Sequence, residues 1–164
     1  MCRPGTYSSS PGSTCTTCPS NTFATHYGQI KCDACPLGYE CTQKDLEPRA
    51  CAPGFYRDES MSSCQRCPSG MWTLNTTSVR CEICPIGFEC PTTDTSPTPC
   101  RVGTYSSSIN TVSCQRCNSG YYTLEKGSIQ CQICPRGYYC PKTDRIPLAC
   151  PNGTYSDYKL KYAK

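Results

Sequence analysis

Hydrophobic positions along this chain follow a short motif rather than a helical or long-strand period. An aromatic residue stands one or two positions after a glycine or an asparagine at ten places: Tyr7, Phe23, Tyr39, Tyr56, Trp72, Phe88, Tyr105, Tyr122, Tyr138 and Tyr155. In three places a β-branched residue follows seven positions later, at Ile30, Val79 and Ile129. An aromatic, a turn and a β-branched residue are typical of a small hairpin. Because no 3.6-residue period appears and 12 glycines and 15 prolines interrupt the chain, we expect short strands and turns, and almost no helix.

The cysteines repeat in the same register as the aromatics. Eighteen of the 19 form three sets of six with matching spacing: Cys2, Cys15, Cys18, Cys32, Cys35 and Cys41; Cys51, Cys64, Cys67, Cys81, Cys84 and Cys90; Cys100, Cys114, Cys117, Cys131, Cys134 and Cys140. Self-similarity at a fixed period is the signature of a repeat architecture. The sequence therefore predicts repeats over residues 1–50, 51–99 and 100–149, and an incomplete fourth repeat over 150–164.

A glycine stands three residues after the first, third and fifth cysteine of each set, and Asn21 replaces it once. Asparagine is among the non-glycine residues that best tolerate a left-handed backbone. We therefore expect a positive φ at this position.

Composition excludes several classes of protein. Leu, Ile, Val and Phe together supply only 19 of 164 residues, too few for a large enzyme core, so cross-links must replace that core. The net charge of +4 is small and unclustered, apart from the tail Lys159 to Lys161, and nucleic acid is a poor candidate partner. No apolar run reaches the roughly 18 residues of a membrane span, and no secretory signal precedes Cys2, so we expect a fragment of a longer precursor.

The cysteines could form disulfides or hold zinc. Pairs such as Cys15 with Cys18 and Cys32 with Cys35 have nearly the spacing of a four-cysteine zinc site. Six cysteines per repeat is an even number, which favours disulfides, and the glycosylation acceptors at Asn75 and Asn152 favour the secretory route. We expect disulfides and no bound metal.

Six cysteines allow 15 connectivities, and we expect sequential pairing because the first two loops of each repeat have similar lengths and openings. The expected pairs are Cys2–Cys15, Cys18–Cys32 and Cys35–Cys41, with the same order in the other repeats. Cys150 has no partner in this scheme, because Ala163 and Lys164 stand where one is expected.

Other candidate chemistry is weak. Asp45, Asp94 and Asp144 recur in the nine-residue connectors, but two acids at most per connector are too few for calcium, and an Asx-type turn is the expected role. His26 is the single histidine and has no acidic neighbour in sequence, so the chain is not expected to be an enzyme or to need a cofactor. The Ser/Thr-rich segments 8–10 and 92–99 could carry O-linked glycans.

The motif that begins Cys100-Arg101-Val102-Gly103-Thr104-Tyr105 and continues through Cys114–Cys117 and Cys131–Cys134 resembles the ephrin-receptor-like cysteine-rich repeat. This repeat belongs to the growth-factor-receptor cysteine-rich superfamily, which also holds the tumour-necrosis-factor receptors. The resemblance covers nearly the whole chain and implies a small disulfide-rich fold, an elongated tandem array in receptor ectodomains or in long surface proteins of protists. The third cysteine of the receptors' C-x-x-C-x-x-C cluster is missing here, which weakens the analogy to receptor pairing and ligand binding.

Two functions follow as expectations. The first is a non-enzymatic extracellular or cell-surface structural protein, a stalk, coat or filament whose partners are copies of itself and N-linked or O-linked glycans. The alternative is a receptor or adhesion ectodomain that binds a protein ligand through exposed aromatics such as Trp72, Tyr121 and Tyr139.

Overall fold

The structure, a computed structural model, describes residues 1–156. Within that range it contains 18 strands of two residues each and no helix. The strands are β1 Thr6–Tyr7, β2 Thr16–Thr17, β3 Thr22–Phe23, β4 Asp33–Ala34, β5 Tyr39–Glu40, β6 Arg49–Ala50, β7 Phe55–Tyr56, β8 Gln65–Arg66, β9 Met71–Trp72, β10 Glu82–Ile83, β11 Phe88–Glu89, β12 Thr98–Pro99, β13 Thr104–Tyr105, β14 Gln115–Arg116, β15 Tyr121–Tyr122, β16 Gln132–Ile133, β17 Tyr138–Tyr139 and β18 Leu148–Ala149. Consecutive strands pair antiparallel as nine separate hairpins, which confirms the predicted fold class of small hairpins in tandem.

Each hairpin opens with a tight turn directly after a cysteine. In the hairpin of β7, the amide N–H of Phe55 donates to the carbonyl of Ala52 at 3.0 Å. Pro53 and Gly54 occupy the two central positions, and Gly54 has a φ of 81°. These are the residues and the left-handed backbone that a type II turn requires, and the aromatic residue of the motif follows as the first strand.

The second strand of these hairpins lies where the sequence analysis did not place it. In the first two hairpins of each repeat it is formed by the two residues between the cysteines of a C-x-x-C pair, as in β9 with β10, where Met71 faces Ile83. Ile30, Val79 and Ile129 precede the second strand and are exposed. The two middle residues of a C-x-x-C pair can form a strand because the disulfides of the flanking cysteines hold both ends. Cys64, for example, bonds to the earlier Cys51 and Cys67 bonds to the later Cys81.

The connectors are themselves part of a third hairpin in each repeat. Their last two residues form β6, β12 and β18, which pair with β5, β11 and β17. The prolines of the connectors, Pro48, Pro97 and Pro147, stand immediately before these strands, where the other two hairpins carry a cysteine. The structural unit is therefore a hairpin that recurs every 16 or 17 residues, as in the steps from Cys51 to Cys67 and from Cys67 to Cys84. Each predicted repeat contains three of these hairpins.

The core consists mainly of half-cystines. Twelve cysteines are buried, and Ala24 is the one other buried apolar residue among the described positions. Two compact units are present: one comprises Met1–Pro68 and Thr73–Cys81, and the other comprises Ser69–Trp72 and the chain from Glu82 onward. A disulfide core of this kind fits a chain with few aliphatic residues.

Candidate functional site

The disulfide framework is the chemical centre of the chain. Nine bonds join consecutive cysteines: Cys2–Cys15, Cys18–Cys32, Cys35–Cys41, Cys51–Cys64, Cys67–Cys81, Cys84–Cys90, Cys100–Cys114, Cys117–Cys131 and Cys134–Cys140. The first two bonds of each repeat close loops of 13 or 14 residues, and the third closes a loop of 6. In the chain-entropy model a 14-residue loop contributes about 3 kcal/mol to stability. Cys150 is free and half-buried, and its expected partner position lies outside the described residues.

Successive hairpins are joined by their backbones. At the junction of the hairpins that begin at Cys84 and Cys100, Gly87 N–H donates to Ser106 at 2.9 Å and Cys90 N–H donates to Thr111 at 2.9 Å. In the reverse direction, Asn110 N–H donates to the carbonyl of Cys84 at 2.8 Å. The same three bonds recur at the junctions that begin at Cys2, Cys51 and Cys100. Because these bonds use main-chain groups, the junction needs no particular side chain as a donor or acceptor.

The motif glycine also faces the hairpin two places further along the chain. A Cβ atom at Gly38 would overlap the carbonyl oxygen of Thr77, and one at Gly70 would overlap that of Asn110. Gly38 and Gly70 have φ values of 75° and 78°. Glycine is therefore required twice here, by the left-handed turn and by the approach of another backbone.

A second left-handed position lies ten residues after the cysteine that opens a hairpin. Gly12, Gly28 and Gly127 occupy it with φ between 73° and 82°, and Thr77 and Asn110 occupy it with φ of 64° and 57°. The N–H groups of Gly28, Thr77, Asn110 and Gly127 make the junction bonds to the preceding hairpin. The sequence analysis missed this role, although the glycines at 28 and 127 signalled it.

The sixth residue after each opening cysteine is buried in most hairpins. It is small in most of them: Ala24, Thr73, Ser106 and Thr123, for example. Two of the threonines bond to a serine five residues later, Thr73 to Ser78 at 2.7 Å and Thr123 to Ser128 at 2.5 Å. The hydroxyl pair satisfies both polar groups across the hairpin, as buried hydroxyls require.

Arg57 is the exception at this position. Its side chain is only 2% exposed, and one guanidinium nitrogen donates to the carbonyl of Pro36 at 3.1 Å. Its Nε has no hydrogen-bond partner. A buried donor left unsatisfied is costly, so Arg57 is the weak point of an otherwise satisfied series.

Two carboxylates tie one repeat to the next. Glu40 accepts a hydrogen bond from the N–H of Cys64 at 3.2 Å, and Glu89 accepts one from the N–H of Cys114 at 2.9 Å. Both glutamates are the second residue of a third-hairpin strand, β5 or β11. Tyr139 occupies the equivalent place in β17.

The structure places both glycosylation acceptors on the surface. Asn75 is exposed at the tip of the hairpin of β9, and its carbonyl accepts a hydrogen bond from the Ser78 hydroxyl at 2.9 Å. Asn152 is exposed in the opening turn of the hairpin that begins at Cys150. Both amides are accessible, and their modification remains a prediction.

The aromatic residues proposed as ligand contacts are not the most exposed ones. Trp72, Tyr121 and Tyr139 lie in strands and are half-buried, so the expectation that they are exposed was wrong. The indole N–H of Trp72 is buried without a partner. Tyr27 and Tyr138 are more exposed, at 66% and 43%, because they lie in a turn and on the open side of β17.

The remaining candidate residues lie in surface turns. His26 is exposed, and its Nδ1 lies 2.9 Å from the Thr25 hydroxyl. Asp144 lies against Gly103, whose Cβ position would be 3.0 Å from the Asp144 Cβ atom. Among residues 1–156 no group of three or more His, Cys, Asp or Glu side chains could hold a metal ion. The same part of the chain contains no helix with the length and hydropathy of a membrane span.

Comparison with known proteins identifies a matching family model. The family model described as "tyrosine-protein kinase ephrin type A/B receptor-like" matches residues 5–47, which include the three hairpins of the first repeat almost completely. No curated protein matches the chain. This family is a receptor-like cysteine-rich domain and not a class of enzyme. Residues 5–47 are thus similar to this family. The second and third repeats carry the same cysteines, disulfides and turns, which is consistent with a tandem array of cysteine-rich repeats from a disulfide-rich, extracellular type of protein.

Proposed function

We propose that the chain is a non-enzymatic structural segment of an extracellular or cell-surface protein, in which stapled hairpins stack to form a stalk, coat or filament. The observation that carries this proposal is the recurrence of the same three backbone hydrogen bonds at four junctions of the described range, those that begin at Cys2, Cys51, Cys84 and Cys100. A junction made of main-chain groups can be repeated any number of times, as in other solenoids. No hairpin in the described range carries an enlarged loop that would serve as a separate binding tip.

The proposed mechanism is mechanical. In the first two hairpins of each repeat the disulfide closes a loop of 13 or 14 residues, so a pulling force cannot extend that loop while the bond is intact. In the third hairpin the disulfide closes only 6 residues, and the second strand after it is held by the pairing of the hairpin. The hydrogen bonds between hairpins then set the spacing of the array. Copies of the chain, and glycans on its exposed turns, are the proposed partners.

Insertion of one further repeat tests the structural role. A second copy of residues 51–99, placed after Pro99, should fold with three more disulfides and lengthen the particle by one repeat. The maximum dimension in small-angle X-ray scattering and the intact mass after alkylation without reduction measure both effects. An insertion that leaves thiols open to alkylation, or that adds mass without adding length, would contradict the spacer role. Sedimentation over a range of protein concentrations separately tests whether copies assemble.

A receptor or adhesion ectodomain is the second candidate. Exposed apolar side chains favour it: Ile83 and Ile133 are 53% and 41% exposed on the second strands of their hairpins, and Tyr138 is exposed nearby in sequence. Substitution of Ile133 and Tyr138 by serine separates the two functions. A protein-binding surface should lose partner capture from the cell surface, whereas a spacer should keep its length, its disulfides and its assembly.

A further inference from the structure

Charge is distributed unevenly among the repeats. Residues 100–149 contain six basic residues, Arg101, Arg116, Lys126, Arg136, Lys142 and Arg145, against two acidic ones. Residues 51–99 contain three basic residues against five acidic ones. The third repeat is therefore the basic part of the described chain.

Arg116 and Lys142 line the same open groove. The groove has a volume of about 430 Å³ and is lined by Arg116, Ser119 and the segment 140–144. Arg116 ends β14, and Lys142 follows the Cys134–Cys140 disulfide, which fixes the start of its loop. Both side chains are exposed, and within residues 1–156 neither makes an ion pair or a side-chain hydrogen bond.

The same groove contains groups that suit neutral hydroxyls. Asp144 supplies a carboxylate, which accepts hydrogen bonds, and Ser119 and Thr143 supply hydroxyls that donate or accept. An inorganic anion or a plain polyanion gains nothing from the carboxylate and is repelled by it. A sugar that carries an acidic group uses both features.

We propose that this groove binds an acidic saccharide, with its sulfate or carboxylate on Arg116 and Lys142 and a ring hydroxyl donating to Asp144. The guanidinium of Arg116 can hold a sulfate or carboxylate with two parallel hydrogen bonds. The corresponding positions are Thr17 and Gln43 in the first repeat and Arg66 and Thr92 in the second, so the third repeat alone places two cations there. This site goes beyond the structural role and does not depend on assembly of copies.

The test is binding of a heparin oligosaccharide to the whole oxidised chain. The variant R116Q/K142Q should bind at least tenfold more weakly than the native protein. The matched control is R101Q/K126Q, which removes the same charge from exposed positions outside the groove and should change the affinity less than twofold. The slope of log affinity against log salt should fall by about 1.5 in the first variant, and nine intact disulfides by mass show that each variant is folded.

Asp144→Asn distinguishes a saccharide from a polyanion without hydroxyls. The substitution should weaken binding of the heparin oligosaccharide several-fold, because a ring hydroxyl loses its acceptor. It should strengthen binding of polyvinyl sulfonate, because that polymer has no hydroxyl and is only repelled by the carboxylate of Asp144. Equal losses in R116Q/K142Q and R101Q/K126Q would overturn the site in favour of diffuse attraction. Stronger heparin binding by Asp144→Asn would overturn the saccharide and leave only a basic surface.

Discussion

The carbonyl oxygen of Gly127 lies where a Cβ atom of Gly87 would stand. The two glycines are 40 residues apart and belong to hairpins that are not neighbours in sequence. The amide of Gly87 also donates to Ser106 at 2.9 Å in the intervening hairpin. Gly87 therefore contacts two later hairpins at once, and the contact leaves no space for a side chain.

Alanine at Gly87 should destabilise the chain far more than alanine at Gly137. Both glycines have a positive φ, 79° and 78°, so each substitution costs about 1–2 kcal/mol of backbone strain. Among residues 1–156 nothing lies within 4 Å of the Cβ position at Gly137, so only G87A adds the overlap with Gly127. Urea unfolding of the oxidised proteins measures both, and equal midpoints would show that the close approach does not matter.

Glycine at Thr77 should stabilise the chain by about 1 kcal/mol. Thr77 is a β-branched residue at a φ of 64°, where glycine has no steric penalty and already stands in equivalent positions. Thr76→Gly, one residue earlier, should destabilise because no left-handed strain is relieved there. Both variants are compared by thermal unfolding in protein made without glycans, and a lower melting temperature for T77G would contradict the strain argument.

Methionine at Arg57 should leave stability unchanged or raise it. The substitution keeps the buried unbranched stem and removes the unsatisfied Nε donor. Pro36 keeps a partner, because its carbonyl also accepts from the N–H of Tyr39 at 3.2 Å. Arg57→Ala also removes the stem, and the cavity that it leaves should lower the free energy of unfolding by about 2 kcal/mol or more. An equal loss of stability in R57M and R57A would show that the guanidinium itself is stabilising.

N-glycosylation should occur at Asn75 in protein from a eukaryotic secretory host. Asn75 is exposed on a hairpin tip, and the hydrogen bonds of the turn use its backbone N–H and carbonyl and leave its side-chain amide out. Mass before and after glycosidase treatment measures occupancy. Asn75→Gln should remove one glycan and leave the nine disulfides intact, and an unmodified Asn75 in the native chain would contradict the prediction.

Removal of the Ser60 hydroxyl should raise the pKa of Asp58. The Ser60 hydroxyl and then the Ser60 N–H donate to this carboxylate at 2.6 and 2.9 Å, which lowers its pKa below the ordinary value of 3.8. A depressed pKa stabilises the fold above the unfolded pKa, and this stability is lost as pH falls through the folded pKa. Carboxyl titration by NMR should show a higher pKa in Ser60→Ala and no change in Ser62→Ala.

Much of the fold could be read from spacing. The cysteine register predicts tandem repeats, and the motif glycines predict left-handed turns because Asn21 replaces one of them. All of these positions have a positive φ in the structure. The third hairpin of each repeat was not predicted, because Pro48, Pro97 and Pro147 stand where the other hairpins carry a cysteine and so break the visible pattern.

The sequence by itself therefore determines the structure of each hairpin. A cysteine, a turn glycine and an aromatic residue act within a few residues of one another, so their effects can be predicted without a tertiary structure. Contacts across hairpins are different. Some features depend on residues at least 20 positions apart: the overlap at Gly87, the burial of Arg57, and the shared groove of Arg116 and Lys142. The strain at Thr77 depends on a backbone that a neighbouring hairpin holds in place. The spacing of residues along the chain does not predict these contacts, because they form only when the hairpins pack against one another.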